Sequence, residues 1–225
     1  MPWLASIGLL LVSCAEKPTS QPAAASREVA LDRTRFQRVK YNFYRGKAGQ
    51  LFEQKQSVEG EGESFSTWYD STVVLKKASG QVELPLATTI DLATYQELGN
   101  SMFAKDKNRV YYYYSTCGGG FRVIVNGANP ATFRASPDYQ YGFDNKHGFY
   151  CDKQLRGGLH VQQRQLLYGD TVAHFVAYVK DNQHVFYQDA PVPGADARTF
   201  HLVRGQDWDA ADKNHRYQNG NRQLD

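Results

Sequence analysis

The sequence predicts an all-β fold, mostly antiparallel, made of repeated β-hairpins with short helical turns between them. Three observations predict it. The 225-residue chain carries 15 Tyr and 12 Phe against 2 Met, and aromatic side chains suit a pleated, half-buried strand surface better than a helical bundle. An Asp-centred segment recurs four times, as "FAKDKNRVYYYY", "YGFDNKHGFYC", "YVKDNQHVFYQ" and "AADKNHRYQNG". The central Asp106, Asp144, Asp181 and Asp212 stand 38, 37 and 31 residues apart, a period that marks units burying their apolar faces against one another. Finally, each Asp is followed by an Asn within two positions, the composition of a tight turn.

Taken from the N-terminus, residues 1–13, "MPWLASIGLLLVS", form an uncharged apolar run that stops at Cys14. The run is far shorter than the roughly 20 residues of a membrane-spanning helix and reads as a signal peptide. No Lys or Arg precedes Cys14, whereas such leaders usually begin with positive charge. Residues 14–31 are rich in Ala, Pro and Ser and read as a tether, which as a flexible coil of about 17 residues spans on the order of 20–25 Å.

A β-rich leading section follows at 32–99. "RFQRVKYNFY", "GQLFEQKQ", "FSTWYD" and "TVVLKK" are its strands, separated by "SVEGEGES" and "ASGQ". The hairpin repeats occupy 100–225 and continue the same domain.

Within each repeat the Asp fixes a register. Residues three before it face residues six after it, pairing Phe103 with Tyr112, Tyr141 with Tyr150 and Tyr178 with Tyr187. On the other face Ala104, Gly142, Val179 and Ala210 oppose Tyr111, Phe149, Phe186 and Tyr217. A small residue meets a large ring in every copy, and aromatic cross-strand pairs contribute about 0.2–1 kcal/mol each. The Asn residues are expected to take positive φ in type I′ turns, with Asp and a basic residue solvating each exposed tip. Upstream, "DLATY", "NPATF" and "DARTF" read as capped single helical turns; the third unit is expected to lack one. In the last unit Asp209 and Gln218 replace the paired aromatics, as a capping repeat requires. Spacing alone leaves a sandwich and a propeller-like arrangement both open.

The "DKNRVYY" core with its Asp-x-x-Thr-Phe lead-in resembles the DKNYY family over about residues 90–217, with "DNKHGFY" and "DNQHVFY" as variants and "DKNHRYQ" as a degraded copy. The resemblance implies a bacterial, surface-attached or periplasmic repeat protein and brings no catalytic residue with it. The N-terminus, ending Leu11-Val12-Ser13-Cys14, resembles a bacterial lipoprotein signal peptide with its lipobox. That resemblance implies cleavage before Cys14, lipidation of Cys14 and a membrane anchor. Ala15 after the Cys looks like an outer-membrane sorting signal, so the expected location is the cell envelope, facing the periplasm or the cell surface. Two or more acyl chains hold firmly where one is marginal.

The formal net charge of +3 is interspersed along the chain, so no basic nucleic-acid patch stands out. An oxidising periplasm permits Cys117 and Cys151 to pair, closing a loop of about 35 residues and contributing roughly 3–4 kcal/mol; two buried free thiols are the alternative. Neither Cys has metal-like spacing to a second ligand, and no cofactor is expected. His147, His184 and His215 follow their Asp by three, where Arg109 stands in the first unit. A metal there requires the tips to converge.

"CGGGF" at 117–121 precedes a strand rather than a helix, unlike a phosphate loop. No Gly-x-Ser-x-Gly elbow or His-Glu-x-x-His pair occurs, which leaves no recognised hydrolase motif. Trp68, Tyr69 and Trp208 suit stacking on sugars or anchoring an interface. Tyr113 and Tyr114, matched by no other unit, mark the expected contact surface. The function expected is a non-enzymatic envelope lipoprotein binding a protein or glycan. An envelope glycan hydrolase and a periplasmic immunity-type protein are the alternatives.

Overall fold

A computed structural model describes residues 36–59, 64–99, 101–116, 118–137, 140–170, 175–204 and 209–223. The signal peptide, Cys14 and the tether lie outside these residues, as do Cys117 and Trp208. The described chain is all-β, with a single four-residue α-helix at Leu86–Thr89 and a 3₁₀ turn at Val161–Gln163. By contacts it divides into two compact units: residues up to 71 together with 115–121, and residues 72–114 with 122–225.

The first unit holds a four-stranded antiparallel meander of β1 (Phe36–Lys40), β2 (Phe43–Gly46), β3 (Leu51–Glu59) and β4 (Ser64–Asp70). Alternation sends Phe43, Leu51, Glu53, Lys55 and Asp70 to one face and Phe36, Arg38, Tyr44, Phe52, Gln54 and Tyr69 to the other. The register Arg38–Tyr44, Tyr44–Phe52 and Gln54–Tyr69 holds the second set together.

The second unit opens with a six-stranded sheet: β5 (Thr72–Lys77), β6 (Gly80–Pro85), β7 (Gln96–Glu97), β8 (Phe103–Lys105), β9 (Val110–Tyr114) and β10 (Phe121–Ile124). Its spatial order is β6-β5-β10-β9-β8-β7, with β10 parallel to β5. Three four-stranded meanders follow. They comprise β11 (Arg134–Ala135) to β12 (Tyr141–Phe143), β13 (Gly148–Tyr150) and β14 (Lys153–Gln154); β15 (Gln165–Asp170) to β16 (Phe175–Lys180), β17 (Val185–Tyr187) and β18 (Ala190–Pro191); and β19 (His201–Leu202) to β20 (Ala210–Ala211), β21 (Arg216–Gln218) and β22 (Asn221–Arg222).

Each meander is one repeat, and consecutive sheets of this unit share an apolar cluster. Phe103, Val110, Tyr112, Phe133 and Phe149 join the first two repeats. Tyr141, Phe143, Leu159, Val179 and Phe186 join the second and third, and Tyr178, Val185, Phe200, Ala210 and Tyr217 the third and fourth. This neighbour-to-neighbour burial is what the sequence period requires.

The hairpin register is the expected one: Phe103 pairs Tyr112, Ala104 pairs Tyr111, Tyr141 pairs Tyr150, Gly142 pairs Phe149, Val179 pairs Phe186 and Ala210 pairs Tyr217. The Tyr178 and Tyr187 rings meet at 5.2 Å. The small partner is needed because another ring lies over it: a Cβ on Gly142 would stand 2.2 Å from Phe133 Cζ.

The turn type differs from expectation. Among described non-glycine residues positive φ occurs at Tyr41, Cys151, Gln188 and Asn219, and at none of Asn108, Asn145, Asn182 and Asn214. The last three of the four left-handed residues occupy one repeat position, seven after the Asp, in the two-residue turns that join the third and fourth strands of each meander. Asn219-Gly220, with φ of 49° and 77°, is the strong type I′ pair.

Candidate functional site

The Asp-centred tip is the constant feature of the repeat, and its chemistry is the same in all four copies. Each four-residue loop closes with the Asp N–H donating to the carbonyl three residues on, at 2.9–3.0 Å. One carboxylate oxygen accepts the backbone N–H groups two and three residues ahead: Asn108 and Arg109 on Asp106, Lys146 and His147 on Asp144, Gln183 and His184 on Asp181, Asn214 and His215 on Asp212, all at 2.7–2.8 Å. The other oxygen accepts the first backbone N–H of the lead-in turn: Asp91, Asn129, His160 and Asp196, at 2.8–2.9 Å. In the first and last units the Tyr five residues on adds its hydroxyl, Tyr111 at 2.7 Å and Tyr217 at 2.8 Å.

These carboxylates do not solvate the tips. Asp106, Asp144, Asp181 and Asp212 are only 3, 4, 3 and 8 % exposed, and each pins a hairpin to the turn that precedes it. A carboxylate capping two consecutive amides makes a turn without positive φ, which is why the Asn residues stay out of the left-handed region. Burial opposes ionisation of Asp144, Asp181 and Asp212, but the N–H donors more than offset it and hold all three below the ordinary carboxylate range. The same Asp raises the Tyr217 phenol further after burial has raised it.

The lead-in turns are capped as expected. Asp91, Asn129 and Asp196 each accept the N–H two residues on at 3.0 Å, and Thr94, Thr132 and Thr199 accept the N–H of the residue after the Asp at 3.0–3.3 Å. The third unit has the turn too, contrary to the sequence reading. His160 to Arg164 form it around the 3₁₀ turn, and Asn182 Nδ2 donates to Gln163 Oε1 at 3.2 Å in place of the Thr contact.

In the first and third units a buried lysine links the hairpin to the next unit's turn. Lys105 Nζ donates to the Pro130 and Phe133 carbonyls at 2.8 and 3.2 Å, and Lys180 Nζ to those of Ala197 and Phe200 at 2.8 Å each. Phe143 stands at this position in the second unit, and the next turn supplies the cation itself: Arg164 donates to the Val161 carbonyl at 2.7 Å with its guanidinium 4.6 Å from the Phe143 ring centre. Burial lowers the pKa of both Lys105 and Lys180.

The other marked residues fall as follows. Nδ1 of His147, His184 and His215 sits 3.5–3.8 Å from its own repeat carboxylate, with the ring set against Phe149, Phe186 and Tyr217. No group of three or more His, Cys, Asp and Glu with metal-holding geometry occurs among the described residues. Tyr113 is half-buried, with the Arg122 guanidinium 5.4 Å from its ring centre and 5.6 Å from that of Tyr95. Tyr114 is half-buried as well and bonds through its hydroxyl to Asp152, which also holds Lys76 at 3.0 Å. Tyr114 therefore clasps the first repeat to the turn of the second, and Tyr187, from a different repeat position, bonds Asn219 in the corresponding turn of the fourth unit at 3.0 Å. Among the described residues Cys151 has no disulfide partner; its thiol is buried and pushed up to about 11 by burial and next by the Asp152 charge, against the opposing bonds of Tyr112 and Tyr114. Its expected partner Cys117 lies outside the described residues.

Sequence reasoning missed the carboxylate as the turn's cap and the third lead-in turn, and passed over Asn219-Gly220 although the dipeptide is a hairpin signal. No family model, no curated protein and no solved structure matches this chain.

Proposed function

We propose that this chain is a non-enzymatic, lipid-anchored protein of the bacterial cell envelope, a DKNYY-type repeat protein whose β-array binds a protein or glycan partner. The observation that carries the reading is the use of the repeat's signature groups. The four Asp carboxylates, Lys105, Lys180, Tyr111 and Tyr217 are all held in internal hydrogen bonds. The recurring chemistry thus builds a scaffold, and the residues that vary between units, such as Lys107, Lys146, Gln183 and Lys213 at the exposed tips, remain to distinguish one surface from another. The lipobox at Leu11 to Cys14 supports the anchor.

Two experiments test it. Radiolabelled palmitate enters the chain in bacterial cells and is lost in Cys14→Ala; label that persists in the variant refutes the anchor. Cross-linking of the tagged protein in cells captures an envelope protein or glycan. Turnover of purified envelope glycan by the full chain would overturn the non-enzymatic reading.

A further inference from the structure

The four-stranded sheet of the first unit divides its side chains in reverse. Phe43, Leu51, Glu53 and Lys55 on one face are buried, and that face contains the Lys55–Asp70 ion pair at 2.6 Å. The opposite face carries four aromatic rings, Phe36, Tyr44, Phe52 and Tyr69, all partly exposed. A one-sided sheet ordinarily places rings inward and carboxylates outward. Here the carboxylates of Glu53 and Asp70 lie on the face opposite the rings.

The rings form one continuous patch. Phe36 stacks on Tyr69 at 4.4 Å with 14° between planes, and Tyr44, Phe52 and Phe36 complete it through edge contacts at 5.2–6.5 Å. Gly46, paired with Phe36, makes room, since a Cβ there would stand 3.0 Å from Phe52 Cε2. Polar groups flank the rings: the Tyr44 hydroxyl donates to Gln54 Oε1 at 2.9 Å, and exposed Arg38 is held at the patch edge by its Nε–H bond to the Tyr41 carbonyl at 2.7 Å. Among the described side chains of this face Arg38 is the one formal charge.

We propose that this aromatic face is the glycan-binding surface of the protein and that its occupant is an acidic polysaccharide. The inference rests on the binding-module reading above and deepens it. Sugar rings present flat C–H faces that pack on Tyr and Phe while their hydroxyls reach amide and phenol groups at the edge. A guanidinium pairs a carboxylate in a two-pronged bond, and with Glu53 and Asp70 on the opposite face no described side chain of this face repels one.

The test is affinity electrophoresis of the full chain through gels containing alginate, a polyuronate, or dextran, a neutral polymer. Alginate is expected to retard the chain more than dextran. Arg38→Gln removes the preference, and Tyr69→Leu weakens retention on alginate by about tenfold, the scale of a central aromatic contact. Arg38 is exposed, so its variant keeps the fold, which near-ultraviolet circular dichroism checks for both. Equal retention by the two polymers, or folded variants that run like the parent, overturns the proposal while leaving a glycan-binding module in place. No retention by either polymer, with a protein captured in cells, overturns the proposal and leaves the protein-binding branch standing.

Discussion

Removing the Asp144 carboxylate tests the account of the repeat most directly. Asp144→Ala leaves three backbone N–H groups, those of Asn129, Lys146 and His147, without the acceptor they now reach at 2.7–2.9 Å. An orphaned buried donor costs about 1–3 kcal/mol. Water reaches the two tip amides in part, so the expected loss is about 3–6 kcal/mol, a large fraction of the roughly 5–15 kcal/mol that a domain possesses. Asp144→Asn is the gentler variant. Its amide oxygen still caps the two tip amides, but its NH₂ faces the Asn129 N–H donor to donor, for a loss of about 2–3 kcal/mol. Lys146→Ala, at an exposed position beside it, changes stability by no more than about 0.5 kcal/mol. Urea unfolding gives the three values, and hydrogen exchange places them: the amides of residues 129, 146 and 147 should lose protection first in Asp144→Asn. If Asp144→Ala proves as mild as Lys146→Ala, the carboxylate does not hold the hairpin to its turn and the argument fails.

Three further outcomes follow from the same geometry. Asp144, Asp181 and Asp212 have folded-state pKa values below the unfolded value of about 3.9, so their contribution is fully present above that value and is lost as pH falls through the folded values. In acid titrations of unfolding free energy, the gap between parent and Asp144→Asn should therefore stay constant from about pH 7 to 5 and narrow below about pH 4; a constant gap down to about pH 2 contradicts it. Gly142→Val should destabilise by more than about 2 kcal/mol, because Phe133 already occupies the space, although the equivalent residue of the third repeat is Val179. Cys151, buried and pushed up to about 11, should resist iodoacetamide in the folded chain and react in denaturant without reductant. A need for reductant would instead reveal a bridge to Cys117.

The hairpin register was legible because it depends on periodicity and on residue size. Ala104, Gly142, Val179 and Ala210 each oppose a ring, and a slip of one residue would exchange the two faces of a strand. The role of the Asp was not legible. An Asp before Asn looks the same whether it faces water or accepts three amides, and only the approach of residues 15 to 21 positions upstream distinguishes the two. The third lead-in turn was hidden because His160, Gln163 and Arg164 replace the cap, the Thr and the aromatic that mark the other three, while the backbone N–H on Asp181 survives the exchange. In the first unit the strand letters "RFQRVKYNFY" and "GQLFEQKQ" announced β-structure, but alternation alone does not say which face is covered, so the outward rings went unseen.

The bonds from Lys105 and Lys180 into the following turns constrain how such an array changes length. A hairpin and the turn after it are chemically matched: either the hairpin brings the ammonium, or, as with Phe143 and Arg164, the turn brings its own guanidinium. A unit copied or excised with its boundary at the turn would join a Lys hairpin to an Arg turn, crowding two cations on one set of carbonyls, or a Phe hairpin to a turn with no cation. The transferable module therefore runs from the middle of one sheet to the middle of the next, so that every donor travels with its acceptors.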